Sequence, residues 1–334
     1  MRAISTLFLV PLLALAACSG DAGGQDEIQL AFVVNGPASF WTIAERGVAA
    51  AEADFNVRCD VRVPAQGVVD QKRIVEDLLT RNVDGIAISP IDGKNQAELI
   101  DQACARTKVI THDSDAPGTK RLCYVGMDNY RAGRMCGELV KEALPDGGSV
   151  MLFVGRIEQD NARRRRQGVI DELLGRSEDG ERFDPPGSPL EGNGFTILDT
   201  RTDQFDQARA KGNAEDALAR HPDLDGMIGL FAYNPPACLE ALRGAGKLGQ
   251  VQVIAFDEDD ATLQGIADGF VYGTVVQQPY QYGYQSVRIL AALVRGEDAG
   301  IPASGFVDVP AKSVRRANVA EFRAELARLL GEGE

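Results

Sequence analysis

The chain has 334 residues, 44% of them apolar and 25% charged, ordinary proportions for a globular protein of about two domains. Its formal net charge is −14. Nucleic acid and anionic membrane surfaces reward a positive field, so both are poor partners for it, whereas a neutral polyhydroxylated ligand is not disfavoured.

The first residues stand apart. Arg2 supplies a positive start, and Leu7 to Ala17 is an apolar run of the length of a secretory signal, too short to span a bilayer. Leu15-Ala16-Ala17-Cys18 resembles the lipobox of bacterial lipoproteins. That resemblance implies cleavage before Cys18 and its lipidation; the alternative is an ordinary secretory signal cut nearby. On either reading the mature chain is exported, to the periplasm or cell envelope, and touches membrane only through the anchor. Residues 1–17 are thus a signal peptide and 18–27 a tether, with Gly20 to Gln25 composed as a flexible linker.

The mature chain alternates strand and helix. Ile28 to Val34 reads as a strand and Trp41 to Phe55 as a helix, separated by the turn Asn35-Gly36-Pro37-Ala38. Strands follow at 57–64, 83–89, 109–111 and 122–126, with helices at 70–81 and 95–107 between them. A second set continues with helices at 131–144, 162–174, 206–220, 235–245, 259–268 and 280–295. Its strands fall at 148–154, 195–199, 226–229, 252–256, 272–276 and 305–309, and residues 177–194 read as a surface loop. A charged helix at 318–330 ends the pattern. Short apolar runs joined by helices predict parallel strands with right-handed crossovers, buried on both faces. The fold class is therefore α/β, two units of similar size with a cleft between them.

One stretch concentrates polar groups. Val109 to Thr111 runs out into His112-Asp113-Ser114-Asp115, and in open α/β sheets ligands sit beyond the carboxyl ends of strands. By itself this is either a ligand grip or a solvated turn. After Cys18, five cysteines remain: Cys59, Cys104, Cys123, Cys136 and Cys238. Their odd number leaves at least one unpaired, and no Cys/His spacing suggests a metal site. Cys104 and Cys123 flank the acidic loop, and a bridge between them would clamp it; five small buried hydrophobes are the alternative. The two histidines, His112 and His221, lack metal-ligand company. There is no nucleophile elbow, phosphate loop or dinucleotide fingerprint, so the chain reads as a non-enzyme without cofactor.

The ordered set of segments resembles the ribose- and galactose-binding family of periplasmic sugar receptors of ABC importers (type I periplasmic binding proteins). Ala31-Phe32-Val33-Val34-Asn35 with Ser39-Phe40-Trp41, Asp84 to Pro90, Val109 to Asp113 and Val125 to Asn129 with Ala132-Gly133 carry it in the first half. Asn161-Ala162-Arg163 with Gly168, His221-Pro222-Asp223, Phe231 to Asn234, Val253 to Asp257 and Val276 to Pro279 carry it in the second. The resemblance covers about residues 28–313. It implies two Rossmann-like lobes, residues 28–128 plus 278–306 and residues 129–277 plus 307–314, followed by a C-terminal helix or tail at 315–334. Three hinge crossings near 128–129, 277–278 and 306–307 would let the lobes close on a ligand.

The resemblance also implies a ligand set. Asp113 would accept hydroxyl hydrogen bonds, with a loop Asp capping a turn as the plainer reading. Asn35 and the aromatics Phe40 and Trp41 would hold and cover a sugar ring, or else anchor the first helix. Ser89 falls where ribose receptors often carry Asn. Ser114 stands where many carry Arg, which leaves the ligand's identity open. Arg163 would donate its planar fork; the other arginines of the run to Arg166 read mainly as a solvated helix face. Phe205, Asn234, Asp257 and Gln277 complete the set from the second lobe, with Tyr233 as an additional wall. A helix N-cap is the other reading of Asp257. The function so implied is capture of a monosaccharide or related polyol by a monomeric receptor that delivers it to ABC permease subunits. A non-sugar ligand such as autoinducer-2, or partnership with a membrane sensor, is the alternative.

Overall fold

A computed structural model describes residues 27–331. The signal segment, Cys18 and nearly all of the tether lie outside the described residues. In chain order the elements are β1 (Gln29–Val33), α1 (Ser39–Phe55), β2 (Arg58–Arg62), α2 (Val68–Thr80), β3 (Gly85–Ile88), α3 (Ala97–Cys104), β4 (Lys108–His112), β5 (Tyr124–Gly126) and α4 (Asn129–Ala143). There follow β6 (Gly148–Val154), α5 (Asp160–Leu173), β7 (Leu190–Gly192), β8 (Phe195–Thr202), α6 (Gln207–Arg220), β9 (Gly226–Gly229), α7 (Asn234–Gly244), β10 (Gln252–Phe256), α8 (Asp260–Asp268) and β11 (Gly273–Val276). The chain ends with α9 (Pro279–Arg295), β12 (Phe306–Asp308), β13 (Lys312–Arg315) and α10 (Val319–Leu330).

The strands form two sheets, ordered β12-β5-β4-β3-β1-β2 and β13-β11-β10-β9-β6-β8-β7. The first is parallel throughout, while the second carries an antiparallel strand at each edge, β7 against β8 and β13 against β11. The sequence pattern shows neither edge strand. They are only three and four residues long, and edge strands half open to solvent lack the apolar run of central ones.

Each sheet is covered on both faces. Leu30, Phe32 and Val34 point to one core with Trp41, Val48 and Ile289; Ala31 and Val33 point to another with Val75, Leu78 and Ile100. The second sheet divides in the same way, with Phe153 and Val253 on one face and Leu152 and Ile254 on the other. Two helix pairs cross at glycines. A Cβ on Gly47 of α1 would stand 1.9 Å from the Tyr280 carbonyl oxygen, and one on Gly283 of α9 2.1 Å from that of Ala44. The α4/α5 pair repeats the device, with Gly133 2.0 Å from the Arg165 oxygen and Gly168 2.0 Å from that of Tyr130. Only a residue without a side chain permits such backbone approach.

The chain passes from one sheet to the other between β5 and β6, and returns between β11 and α9, which packs on α1. The third passage lies between β12 and β13, a few residues beyond the expected 306–307. Val307 pairs with Val125, and Phe306 stacks on Tyr124 with ring centroids 5.5 Å apart, so this strand stays with the first sheet through Asp308.

Of the two readings of these cysteines the Cys104–Cys123 bridge is absent, and both are free thiols. Cys123 packs with Phe32 and Val125 on one face of the first sheet, whereas Cys104 ends α3 and packs with Val33 and Ile86 on the other. The sheet itself separates the two sulfurs. Among the described residues no helix is long and apolar enough to cross a membrane.

Candidate functional site

Between the carboxyl ends of the two sheets lies a cavity of about 250 Å³. Its acidic groups arrive by matching routes. Asp113 follows β4, the fourth strand from the β2 edge, and Asp257 follows β10, the fourth counting from β8 with the antiparallel edge strand β7 set aside. Both adopt a left-handed backbone, with φ of 56° and 67°. Each donates its amide to the adjacent strand, Asp113 to Val125 O at 3.1 Å and Asp257 to Val275 O at 2.8 Å. Asp tolerates this conformation better than most residues, and the turn swings the carboxylate from the strand line into the cleft.

Asp113 is held from several sides. Its Oδ2 accepts from Asn35 Nδ2 at 3.1 Å, from Ser89 Oγ at 2.9 Å and from Asn161 Nδ2 at 3.3 Å. Asn161 stands on α5, so this last bond joins the two halves of the cleft. Burial pushes the Asp113 carboxyl up to about 6, against the pull of Arg165 and of the hydrogen bonds from Ser89 and Asn161, while Asp257 pushes it further. Asp257 accepts from Gln277 Nε2 at 2.7 Å. Burial raises its pKa too, offset by Arg165 and Gln277. It does not cap α8; Asp259 does, accepting from Ala261 N at 2.8 Å. Glu258 is also buried, with both carboxyl oxygens unpartnered, and burial raises it well above the usual range.

The walls are aromatic. Phe40 and Trp41 meet edge to face at 4.8 Å, and Trp41 rests at 5.5 Å on His112, which stacks on Phe32 at 3.9 Å. His112 turns away from the cavity, and its Nε2 lies 3.2 Å from the Val33 carbonyl oxygen. Burial lowers its pKa to about 3, so it is a neutral core residue. Opposite them, Phe205, Phe231 and Tyr233 form a cluster with centroids 5.7–6.4 Å apart. Gly155 makes room for this cluster, since a Cβ there would lie 2.7 Å from the Phe205 ring.

Of the residues expected from the sequence, Asn35, Phe40, Trp41, Asp113, Phe205, Tyr233, Asp257 and Gln277 line the cavity. Ser89 lies beneath it, fixing Asp113. Ser114 is buried with its Oγ unpartnered and is absent from the lining. Asn234 is likewise off the wall; its amide binds Asp203 Oδ2 at 2.8 Å, and its Oδ1 accepts the Phe231 amide at 3.2 Å, which shapes the Phe231–Tyr233 turn. Asp115 belongs to a salt bridge with Arg121 and accepts from Thr111 Oγ1 at 2.6 Å.

Arg163 is not on the cavity; its Nη2 bonds Asp160 Oδ1 at 3.0 Å on the outer side of α5. Arg165 occupies the cavity instead. Residues 161 and 165 are one turn apart on one helix face, and 163 sits about 200° around from 161. Arg165 is 1% exposed, donates to Leu230 O at 2.6 Å and Asn129 Oδ1 at 3.1 Å, lies 4.0 Å from Asp257 Oδ2, and covers the Phe256 ring at 3.9 Å. The sequence reading also passed over Asn161, Arg156 and Phe231, which line the cavity. The i, i+4 spacing was the available signal for Asn161 and Arg165. The arrangement offers buried carboxylates for hydroxyl donors, one fixed guanidinium and flat apolar faces on both sides.

Residues 30–298 match the periplasmic binding protein domain family, and the chain belongs to that family. It is 23% identical to the D-ribose/D-allose-binding protein of Pseudomonas aeruginosa, over 94% of this chain and 99% of that protein. It is 25% identical to the ribose import binding protein of Haemophilus influenzae, over 90% and 97%. Among solved structures, an ABC transporter solute-binding protein from Burkholderia graminis in complex with D-arabinose superposes with a TM-score of 0.78 at 29% identity, covering 87% of this chain and 96% of that one. A solute-binding protein from Agrobacterium vitis bound with α-D-tagatopyranose shares the fold, with a TM-score of 0.79 at 22% identity and coverage of 91% and 99%.

Proposed function

We propose that this chain is an exported receptor that captures a monosaccharide between two closing lobes and presents it to the permease subunits of an ABC importer. The observation that carries this reading is the pair Asp113 and Asp257, both turned into one aromatic-walled cavity with Arg165 beside them. A carboxylate accepts hydroxyl hydrogen bonds on both oxygens, and aromatic faces cover the C–H faces of a ring. A volume of about 250 Å³, below the roughly 300–1,000 Å³ of drug-sized sites, suits one ring rather than an oligosaccharide.

The mechanism follows from the split site. Asn35, Asp113 and the Phe40–Trp41 wall belong to one lobe; Asn161, Arg165, Phe205 and Asp257 belong to the other. A ligand bonded to both lowers the free energy of the closed state only, and that difference drives closure about the three crossings. Sugar-binding names among the relatives and the D-arabinose complex of the B. graminis protein support the ligand class. Export and anchorage through a lipidated Cys18 are part of the same proposal.

The test is calorimetric titration of the mature chain with D-ribose, D-allose, D-arabinose and D-tagatose, with Trp41, the only tryptophan, as a fluorescence reporter in the cavity wall. Saturable binding of a monosaccharide, accompanied by a rise in thermal midpoint, is the expected result. Failure of every pentose, hexose and derivative to bind would refute the reading.

A further inference from the structure

Arg156 is unused by the sugar-binding arrangement described above. It follows Gly155 at the end of β6, lines the cavity, and holds its guanidinium 5.1 Å over the Phe205 ring. Its Nε is buried without a hydrogen-bond partner. Among the described residues this side chain donates no hydrogen bond and pairs with no carboxylate, whereas Arg165, whose Nε is also unpartnered, donates to Leu230 and Asn129 and lies 4.0 Å from Asp257.

Across the cavity, both Nη atoms of Arg156 come within 3.7 Å of where a Cβ of Gly67 would be. Gly67 is the N-cap of α2, a 13-residue helix whose first turn receives no side-chain cap from it. The nearest acid of that turn, Asp70, is taken up by the Ala65 amide at 2.8 Å and by Arg73 at 2.8 Å. A helix N-terminus carries partial positive charge, so an anion bound beside the half-buried guanidinium and the first turn of α2 would meet favourable charge from both. The neutral amides of Gln204 and Gln207 complete this part of the wall, and it contributes no carboxylate of its own.

We propose that the cavity is built for a monosaccharide bearing one anionic group, a carboxylate or a phosphate, with Arg156 and the first turn of α2 as its counter-charge. This rests on the monosaccharide reading and narrows it. A charge-assisted hydrogen bond of this kind corresponds to about tenfold or more in affinity.

The full mature chain is titrated with D-ribose and D-galactose as neutral probes, D-galacturonate and D-gluconate as carboxylates, and D-ribose 5-phosphate as the phosphate. The expected result is that one anionic probe binds at least about tenfold tighter than the neutral sugars, with a preference that shrinks as salt rises. The class of that probe identifies which anion is taken. Arg156→Met erases the preference, and Arg156→Lys restores part of it. Unliganded melting midpoints control for folding; should Arg156→Met fail to fold, the wild-type preference and its salt dependence carry the test. Neutral sugars binding as tightly as the anions would overturn this inference and leave the monosaccharide reading standing, as would a preference that survives Arg156→Met. Binding of none of these probes would overturn the inference, and if the neutral panel above is also silent, the broader reading falls with it.

Discussion

Asp113→Asn separates the two roles of this side chain, because it acts in opposite directions on stability and on binding. Asn matches Asp in size and accepts the left-handed backbone at φ 56°, so the exchange adds no backbone strain that Asp lacks. In the unliganded chain the Asp113 carboxyl rises from 3.8 to about 6, chiefly by burial. At ~1.4 kcal/mol for each tenfold change, that corresponds to about 3 kcal/mol of destabilisation when the group is ionised in the folded state. Asn removes this penalty, and because the shift is already net of the hydrogen bonds from Ser89 and Asn161, the expected gain is about 2–3 kcal/mol at pH 7. The sign with pH follows from the raised pKa. The folded state holds its proton more tightly than the unfolded chain between pH 4 and 6, so the favourable contribution is complete below about 4 and is lost as pH rises through 6. The variant's advantage should therefore appear at pH 7 and disappear at pH 4, read by urea denaturation at both. Sugar binding moves the other way. Losing a charged acceptor for two ligand hydroxyls costs roughly 3 kcal/mol, over a hundredfold in Kd by calorimetry. A variant that binds the sugar within threefold of the parent would refute the placement of Asp113 at the ligand. A variant less stable at pH 7 than at pH 4, relative to the parent, would refute the burial argument.

The α4/α5 crossing also tests how the site is built. Gly133→Ala puts a methyl group 2.0 Å from the Arg165 carbonyl oxygen, so α5 must move. We expect a loss of about 1–3 kcal/mol in denaturant unfolding and weaker sugar binding, since α5 carries Asn161 and Arg165. A stable variant with unchanged affinity would contradict the tight crossing. Ser114→Ala removes a buried, unpartnered hydroxyl outside the cavity; stability should hold or rise by up to ~1 kcal/mol and affinity stay within about twofold, by the same two assays. Alkylation after unfolding without reductant should label both Cys104 and Cys123, and mass spectrometry of a linked peptide pair would disprove their separation by the sheet.

The alternation of short apolar runs with amphipathic segments was enough to establish a parallel α/β architecture, because a strand covered on both faces must be apolar at every position. Asp113 could be placed beyond a strand end for the same reason, since the end of a buried run marks where polar groups reach the cleft, whereas Asp257 and Gln277 were reached through the family resemblance. The antiparallel edges β7 and β13 escaped that signal, being short and half solvated. Four consecutive arginines showed only that some side of α5 is basic. Which one enters the cavity was decided by the helix rotation that the Gly133–Gly168 crossing imposes, and this put Arg165 inward and Arg163 against Asp160. The two cysteines beside the acidic loop are close in the chain, yet the sheet lies between them. Local patterning thus determined what each segment becomes. Which face of a helix or sheet a side chain occupies, and so what it meets, was decided by contacts between segments far apart in sequence.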